Sequence, residues 1–458
     1  MDGLLTDLYE LTMAAGYHQA GKAEETATFE LSIRRLPQNR NFVIVAGLAQ
    51  VVEYLLDVRF SGEDIDYLLN LRFTEEEIAY LKGLRQFSRV GEDFFDALRA
   101  FRFTGDLFAV PEGTPMFAGE PVLNVRAPLI EAQIPETCLL SSIAYQTLVA
   151  TKAARIVETA AGRGVVEFGT RRAHSPQAGV LAGRAAYIGG CIGTSNTLAG
   201  RRFSIPVYGT AAHSWVQAFE DEAQSFRQLQ ELLGEATIYI VDTYDTLEGT
   251  RQAAKLGKPL WGIRLDSGDL LELSRASRQI LNDAGLADAK IMASGDLDEY
   301  KIRQLVEAGA PIDAFGVGTE LATSADAPNL GVVYKLVELE SNGTRRYTAK
   351  FSEDKITLPG AKQVFRYPGH DVIACSWECP CCDEQAEPEE ALLRPVLLGG
   401  KLVEPLPSAA EARDQAAEAL ARLPAACRRL DSPEPYRVEH SRALLELTRE
   451  ARRTAPGG

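Results

Sequence analysis

Seven short apolar runs recur between residues 165 and 317, each ending in glycine and polar residues and most followed by a helix-like segment. They lie at 165–168, 188–192, 205–208, 238–241, 260–265, 290–293 and 314–317. A short strand followed by a crossover helix is the repeating unit of a parallel sheet. We therefore predict an α/β fold in which these units form an irregular TIM-like (β/α) barrel. Because an eighth unit is not recognisable, an open doubly wound sheet is the alternative architecture.

Polar side chains follow the carboxyl ends of these runs. They are Arg171, Ser195, Asn196, His213, Asp242, Asp266, Asp269, Asp296 and Thr319. In a barrel of parallel strands the loops at this end converge, whereas the interior is packed solid. A polar residue at any single strand end is equally well explained as the start of a loop. Its recurrence along the whole repeat predicts a binding or catalytic site at this rim.

The segments on either side of the repeat have a different texture. Helical patterns at 48–56 and 75–84 precede a β-rich stretch at 101–125, which predicts an α+β unit. Asn342 and Gly343 separate two β-type stretches and predict a hairpin. We expect three domains. They are an N-terminal α+β domain over 1–130, the barrel over 131–335, and a C-terminal hairpin, cysteine cluster and helices over 336–458, which can pack back on the first domain.

The charge balance argues against nucleic-acid binding. The chain has 48 lysines and arginines against 64 aspartates and glutamates, a formal net charge of -16, and an acidic surface repels a phosphate backbone. No stretch approaches the roughly 20 apolar residues of a transmembrane helix, and the start lacks the basic and apolar regions of a signal peptide. We therefore expect a cytoplasmic protein with neither a membrane nor a nucleic-acid partner.

The segment 263–270 places an arginine and two carboxylates in one strand-to-helix turn. The guanidinium of Arg264 can grip a carboxylate by two parallel hydrogen bonds. Asp266 and Asp269 can hold ribose hydroxyls or magnesium, because both ligands favour carboxylate oxygens. Capping of the following helix is the alternative role for one of the two aspartates.

Two later turns, at 293–296 and 315–319, are rich in glycine. Without a side chain at Gly295 and Gly318, such turns can present backbone N–H groups to a phosphate. Neither turn is decisive alone, since glycine is common at any tight turn.

His213 follows the predicted strand at 205–208. A histidine at a strand end can act as acid, base or nucleophile, and imidazole is suited to carrying a transferable phosphoryl group. His18 and His440 lie in helix-like segments, and His174, after a basic turn, fits either a packing or a functional role. Of the five histidines, we predict that His213 is the catalytic one.

Five segments, spread over nearly the whole chain, together resemble the nicotinate phosphoribosyltransferase family. They are TDLYELTM at 6–13, EFGTRR at 167–172, GTAAHS at 209–214, RLDSGD at 264–269 and FGVGT at 315–319. The resemblance implies an N-terminal α/β domain on an irregular barrel, and a homodimer with its active site near the subunit interface. It also implies that nicotinate and 5-phosphoribosyl 1-pyrophosphate give nicotinate mononucleotide and pyrophosphate in NAD salvage. ATP hydrolysis would be coupled through a phosphohistidine, with magnesium as the metal cofactor.

The resemblance also assigns roles at the nicotinate end of the site. Tyr9 resembles a contact from the N-terminal segment, and Phe168 resembles the aromatic residue that stacks on the pyridine ring. Arg264 would face the nicotinate carboxylate. Thr210 resembles a further residue of the nicotinate site.

At the sugar and phosphate end, displacement at the anomeric carbon needs carboxylates near the cationic sugar and cations on the departing pyrophosphate. The resemblance places Asp266 at the ribose and Arg171 at the phosphoribosyl and pyrophosphate region. The second aspartate of the turn, Asp269, is predicted from its position to bind substrate as well. His213 would carry the phosphoryl group. Asp242 resembles an acid that orients this histidine, and helix capping is its alternative role. The 5′-phosphate is assigned to Gly295, Gly318 and Thr319.

Three other functions stay open on the sequence alone. The first is a nicotinamide phosphoribosyltransferase. Such enzymes resemble this chain around 194–198 but carry an acid where this chain has Ser195 and Asn196. A neutral pair does not repel the carboxylate of nicotinate. A quinolinate phosphoribosyltransferase would need neither the histidine nor ATP. A catalytically silent barrel that binds a phosphorylated metabolite is the alternative from another class, which the presence of His213 and Asp266 disfavours.

Four cysteines crowd together near the C-terminal region, at Cys375, Cys379, Cys381 and Cys382. Four thiolates can bind zinc tetrahedrally, but this spacing differs from the common paired C-x2-C form. The cysteine cluster is therefore interpreted either as a structural zinc site or as free thiols in a reducing compartment.

Overall fold

The computed structural model describes residues 2–69, 86–352, 357–378 and 387–455. The chain divides into two compact units. Unit 1 comprises Met1–Tyr145, Asn329–Leu406 and Ala421–Gly458, and unit 2 comprises Gln146–Pro328 and Pro407–Leu420. The helix predicted at 75–84 lies outside the described residues. Within the described ranges, none of the helices has the length and apolar character needed to cross a membrane.

Strands and helices alternate irregularly along the chain. The strands of the described residues are, in chain order, β1 (Thr26–Arg35), β2 (Val43–Ile44), β3 (Asp106–Ala109), β4 (Pro115–Met116), β5 (Pro121–Pro128), β6 (Gly164–Glu167), β7 (Gly193–Thr194), β8 (Ile238–Ile240), β9 (Gly262–Leu265), β10 (Lys290–Ala293), β11 (Ala314–Val317), β12 (Gly331–Ser341), β13 (Thr344–Tyr347), β14 (Lys362–Tyr367), β15 (His370–Cys375), β16 (Glu390–Ala391), β17 (Arg394–Leu398), β18 (Lys401–Leu402) and β19 (Arg437–His440). The α-helices are Leu8–Gln19, Leu48–Asp57, Gly62–Leu69, Glu92–Arg99, Leu129–Gln133, Glu136–Thr159, Pro176–Ile188, Thr197–Phe203, His213–Gln217, Glu222–Leu233, Thr246–Leu256, Leu270–Asp283, Glu299–Glu307, Thr319–Ala322, Ala409–Arg422, Ala425–Arg428 and Arg442–Thr454.

Unit 1 is built on an antiparallel sheet with the strand order β13-β12-β1-β5-β3-β17-β18. A second sheet has the order β16-β14-β15-β19. The hairpin predicted from Asn342 and Gly343 is confirmed: β12 and β13 pair from Ser341 and Thr344 outward, and both turn residues have positive φ, 51° and 74°. The helix predicted at 48–56 and the β-rich stretch at 101–125 are also confirmed.

Unit 2 contains a parallel sheet with the strand order β7-β6-β11-β10-β9-β8. Five of the predicted strands are confirmed, as β6, β8, β9, β10 and β11. The strand predicted at 188–192 is wrong, because its first residue ends the helix Pro176–Ile188 and supplies a buried face of that helix. The chain enters the sheet only afterwards, at β7. The run at 205–208 contributes one isolated bridge, between Val207 and Thr194.

The strand order resembles that of a ring, because the first and last predicted units, β6 and β11, are hydrogen-bonded neighbours. Among the described residues, however, the pairings form one open series, and none joins Val207 to β8. The parallel α/β sheet is therefore confirmed, and a closed barrel stays a prediction.

Several helices of unit 2 begin on a polar residue that follows a strand. The side chains of Asn196, Asp245, Asp269 and Asp298 each accept a hydrogen bond from a backbone N–H of the first turn. Such caps stabilise a helix by about 1 kcal/mol each, because the first N–H groups have no partner within the helix. Part of the polar clustering at the strand ends is therefore structural.

A pair of carboxyl groups, Glu120 and Asp371, is completely buried in unit 1. Arg366 donates to both oxygens of Asp371, with a shortest distance of 2.6 Å, and the hydroxyl of Tyr436 donates to the same carboxylate. Burial and the neighbouring Asp371 raise the pKa of Glu120 well above its ordinary value, and Arg366 only partly opposes them. Burial and the negative charge of Asp371 therefore both favour the protonated form of Glu120 in the folded protein.

We expect this pair to destabilise the fold as the pH rises. Once the pH exceeds the unfolded pKa of about 4.3, the folded state holds a proton that the unfolded state has lost, so the free energy of unfolding falls by up to about 1.4 kcal/mol per pH unit until the raised pKa is reached. Glu120→Gln, which is neutral at every pH, should therefore have a flatter dependence than the wild type. Urea unfolding at pH 5 to 9 measures both slopes, and equal slopes would contradict a protonated Glu120.

Candidate active site

Two cavities in unit 2 share four lining residues. The first, which we call the histidine cavity, encloses about 220 Å³, and the second, the glycine-turn cavity, encloses about 240 Å³. Both are lined by Phe168, Arg171, Arg264 and Asp266, which follow or end strands β6 and β9. The histidine cavity adds Ser195, Gly209, Thr210, Ala211, Ala212, His213 and Ile240, and the glycine-turn cavity adds Arg172, Ser294, Gly295, Asp296, Leu297, Gly316, Gly318 and Thr319.

Arg264 is held in place by three neighbours. Its Nε donates to Ser294 Oγ at 2.8 Å, one terminal nitrogen donates to Thr210 Oγ1 at 2.8 Å, and the other donates to Asp266 Oδ1 at 2.5 Å. Its side chain is only 11% exposed. A guanidinium has five N–H donors, so about two remain for a ligand in the cavity. The predicted grouping of Arg264, Thr210 and Asp266 is thus present in the structure.

Asp266 has two oxygens with different surroundings. Oδ1 accepts hydrogen bonds from Arg264 and from Ser294, each at 2.5 Å, whereas Oδ2 lies 3.7 Å from His213 Nε2. Burial acts to raise the pKa of Asp266, but the charge of Arg264, the hydrogen bonds and the nearby histidine lower the pKa below its ordinary value. The site therefore contains an ionised carboxylate with one oxygen directed at the histidine.

Phe168 lies beside Arg264 and rests against the sheet. The Arg264 guanidinium carbon is 5.6 Å from the centroid of the Phe168 ring, within the range of a cation–π contact. A Cβ added at Gly316 of β11 would come within 2.6 Å of Phe168 ring carbons. Since φ of Gly316 is not positive, glycine is needed there only for space.

We expect Gly316→Ala to destabilise the protein because of the Phe168 ring. Overpacking of this kind costs about 1–3 kcal/mol. In a Phe168→Ala background, the same substitution should cost close to nothing, because the ring that it would strike is absent. Urea unfolding of the four proteins measures the coupling. The same cost in both backgrounds would show that the strand, and not the ring, requires glycine.

Glu167 lies directly before Phe168 and is completely buried at the end of β6. Its carboxylate accepts a hydrogen bond from the backbone N–H of Gly169 and one from Thr194 Oγ1 at 2.5 Å. Burial raises the pKa of Glu167, and these two hydrogen bonds oppose the rise. Glu167 therefore ties β7 to the turn that carries Phe168 and Arg171.

His213 is the first residue of a short helix, and its side chain is 40% exposed in the cavity wall. Its Nδ1 lies 3.2 Å from Thr243 Oγ1, and its Nε2 faces Asp266. Asp242, predicted to orient this histidine, instead accepts hydrogen bonds from the backbone N–H of Asp266 and from Ser267 Oγ. Thr243 is therefore the observed partner of Nδ1. Within the described residues, Asp242 forms no direct hydrogen bond or ion pair with His213.

The two glycine turns lie together in the glycine-turn cavity. Gly295 has a φ of +92°, and a Cβ there would strike the Asp266 carbonyl oxygen, so only glycine fits. Gly318 and Thr319 line the same cavity from the end of β11. The predicted phosphate-site residues are thus brought together in a cavity that Arg171 also lines.

Other predicted site residues lie elsewhere. Tyr9 belongs to unit 1, where it is 48% exposed, and Asp269 is an exposed helix cap that lines neither cavity. Cys375 is buried at the end of β15, and Cys379, Cys381 and Cys382 lie outside the described residues. No group of three metal-binding side chains occurs in the part of the chain that the structure describes. The zinc site stays a prediction.

Sequence reasoning missed three residues of the site: Glu167, Thr243 and Ser294. A carboxylate that ends an apolar run was a usable signal for Glu167, because a buried acid needs partners. Thr243 and Ser294 gave no such signal, since hydroxyl residues are common in loops.

Comparison with known proteins identifies the family. The models for the nicotinate phosphoribosyltransferase N-terminal domain, family and C-terminal domain match residues 4–144, 164–357 and 384–448. Nicotinate phosphoribosyltransferase pncB2 of Mycobacterium tuberculosis is 43% identical over 97% of this chain and 93% of its own length. Nicotinate phosphoribosyltransferase of Bacillus subtilis is 45% identical over 79% of this chain and 72% of its own length.

The fold agrees with this assignment. The crystal structure of human nicotinic acid phosphoribosyltransferase matches with a TM-score of 0.79 and 31% identity, covering 97% of this chain and 99% of that one. The family predicted from the five sequence segments is thereby confirmed, and the chain belongs to the nicotinate phosphoribosyltransferase family.

Proposed function

We propose that this chain transfers the phosphoribosyl group of 5-phosphoribosyl 1-pyrophosphate to nicotinate, giving nicotinate mononucleotide and pyrophosphate in NAD salvage. One observation carries the proposal in this molecule: Arg264 and Phe168 lie between the histidine cavity and the two glycine turns. Arg264 can bind a carboxylate and Phe168 can stack on an aromatic ring, and both lie next to turns whose backbone N–H groups can bind a phosphate. The family assignment and the relatives' names support the same reaction.

Nicotinate recognition rests on charge and on an aromatic face. Arg264 keeps free N–H donors for a carboxylate, and its three protein partners pre-organise it, so little conformational entropy is lost on binding. Phe168 offers its ring to the pyridine. Ser195, in the same cavity wall, is neutral and adds no repulsion. These features favour nicotinate over nicotinamide, which has no negative charge to pair with Arg264.

The phosphoribosyl end is assigned to the glycine-turn cavity. Backbone N–H groups of the turns at Gly295 and Gly318 would bind the 5′-phosphate with Thr319, and Arg171 would neutralise the pyrophosphate. As the pyridine nitrogen forms its bond to the anomeric carbon, the bond to the pyrophosphate oxygen breaks, and the sugar becomes cationic. The ionised Asp266 would stabilise this charge.

Magnesium fits the carboxylates present. Arg264 and Ser294 both donate to Oδ1 of Asp266, so within the described residues neither of them occupies Oδ2. Carboxylate oxygens are the ligands that magnesium prefers. When bound with pyrophosphate, magnesium would neutralise the departing charge.

His213 is proposed to accept a phosphoryl group from ATP. Its Nδ1 contacts Thr243, which leaves Nε2 in the cavity beside Asp266. An imidazole held at one nitrogen has the other available as a nucleophile, so Nε2 would form a bond to the γ-phosphorus of ATP as the bond from that phosphorus to the ADP oxygen breaks and ADP leaves. A nearby carboxylate stabilises the cation that forms. Cleavage of ATP could then be coupled to nucleotide synthesis.

Further predictions from the sequence and from the family resemblance are part of the proposal. They are a homodimer with the site near the interface, Tyr9 as a nicotinate contact, Asp269 near the ribose, Asp242 acting on His213 through the Asp266 loop, an irregular barrel, a cytoplasmic location and zinc at the cysteine cluster.

Coupling to ATP can be tested by following ADP and nicotinate mononucleotide together. We expect ADP release to accelerate when nicotinate and 5-phosphoribosyl 1-pyrophosphate are both present, and nucleotide synthesis to slow when ATP is omitted. Synthesis at the same rate and extent without ATP would contradict the coupling, while leaving the transfer reaction intact.

A further inference from the structure

Lys152 is a buried cation that the transfer reaction does not use directly. It lies in the helix Glu136–Thr159, in the part that belongs to unit 2, and its side chain is 1% exposed. Its Nζ lies 2.5 Å from Glu299 Oε2, 2.9 Å from Asp326 Oδ1 and 3.9 Å from Glu320 Oε2. One ammonium group thus contacts three carboxylates.

The three carboxylates come from the segments that follow the two glycine turns. Glu299 begins the helix after β10, just beyond Gly295, and is completely buried. Glu320 directly follows Thr319, and Asp326 lies farther along the same segment after β11. Lys152 therefore contacts the segments that follow both glycine turns.

Arg155, one helical turn after Lys152, strengthens this arrangement. Its Nε donates to the other oxygen of Glu299 at 3.0 Å, and a terminal nitrogen donates to Tyr300 at 3.3 Å. Burial acts to raise the pKa of Glu299, but the charges of Lys152 and Arg155 hold the pKa below its ordinary value. Glu299 is thus an ionised group held between two cations.

We propose that Lys152 is a positioning residue for the phosphate end of the substrate, setting the spacing of the Gly295 and Gly318 turns through Glu299, Glu320 and Asp326. The inference rests on the proposed assignment of these turns to the 5′-phosphate. Because the Lys152 side chain is buried, its effect reaches the substrate only through the turns. A phosphate that accepts hydrogen bonds from two turns is sensitive to their separation, since small misplacements strongly weaken binding and catalysis.

The test compares Lys152→Met with a matched buried lysine of unit 1. Lys362 is 2% exposed and pairs with the buried Glu30 at 3.1 Å, so Lys362→Met also removes a buried cation from its acid. Both variants should lower the melting temperature. Only Lys152→Met should raise the KM for 5-phosphoribosyl 1-pyrophosphate, by about tenfold or more, with the KM for nicotinate nearly unchanged. Lys152→Arg, which keeps the charge, should recover part of the loss.

Glu320→Gln provides a second route if Lys152→Met does not fold. Glu320 is 33% exposed, so its substitution should leave the melting temperature nearly unchanged and still raise the KM for 5-phosphoribosyl 1-pyrophosphate. Calorimetric titration with ribose 5-phosphate gives a readout that does not depend on turnover, which separates this inference from the proposed reaction. A normal KM and normal ribose 5-phosphate affinity in these variants, or equal effects of Lys152→Met and Lys362→Met, would overturn the positioning role.

Discussion

Replacing His213 with asparagine will abolish phosphorylation of the protein by ATP. With γ-labelled ATP, the wild type should acquire an acid-labile, base-stable label, as expected of a phosphohistidine, and His213→Asn should acquire none. The reason is that the Asn amide is a poor nucleophile, whereas the Nε2 atom of His213 lies in the cavity, with its Nδ1 held by Thr243. The variant should also lose stimulation by ATP.

Slow transfer without ATP should survive in His213→Asn, because Arg264, Phe168 and the glycine turns are unchanged. His174→Asn is a matched control, since His174 is exposed and lines neither cavity. It should label like the wild type. A normal label on His213→Asn, or full stimulation by ATP, would show that another residue carries the phosphoryl group.

Arg264→Ala is expected to have the second largest effect. Charge-assisted hydrogen bonds contribute about 1.5–3 kcal/mol, so kcat/KM for nicotinate should fall by about 10- to 150-fold. The discrimination between nicotinate and nicotinamide should fall with it, because the partner of the carboxylate is gone. Steady-state kinetics with both pyridines measures this ratio.

The pH profile of the same variant provides an independent readout. Arg264 is the largest influence that lowers the pKa of Asp266, so its removal should raise that pKa. Activity that needs ionised Asp266 is present above this pKa and lost below it. The acid limb of kcat/KM should therefore move to higher pH in Arg264→Ala and stay nearer to the wild type in Arg264→Lys, which keeps the charge but loses the planar fork. An unchanged nicotinate preference and acid limb would contradict the role of Arg264.

The sequence was informative where local pattern and structure coincide. Short apolar runs that end in glycine predicted β10 and β11 to the residue, because a buried parallel strand needs apolar residues on both faces. The run at 188–192 failed, because an apolar segment is equally suited to a buried helix end, and periodicity over five residues does not separate the two. The sequence could not decide between helix capping and ligand binding for Asp269, because both roles need a carboxylate oxygen just after a strand.

Contacts between distant segments could not be predicted from pattern. His213 and Thr243 are separated by 30 residues, as are Arg264 and Ser294, and only the fold brings them together. Lys152 gave no signal, because a lysine in a long helix normally faces solvent. Its burial depends on carboxylates from three later positions, which no helical periodicity encodes.

The measurement that tests the central claim most directly is mass-spectrometric detection of the product. The purified protein is incubated with 5-phosphoribosyl 1-pyrophosphate, magnesium, ATP and an equimolar mixture of nicotinate, nicotinamide and quinolinate. We predict that nicotinate mononucleotide accumulates with one pyrophosphate per nucleotide, and that it exceeds the nicotinamide product by a wide margin. Because quinolinate would give the same nucleotide after losing carbon dioxide, nicotinate is supplied with a ring isotope label that must appear in the product. Unlabelled nucleotide, a dominant nicotinamide product or no nucleotide at all would contradict the account.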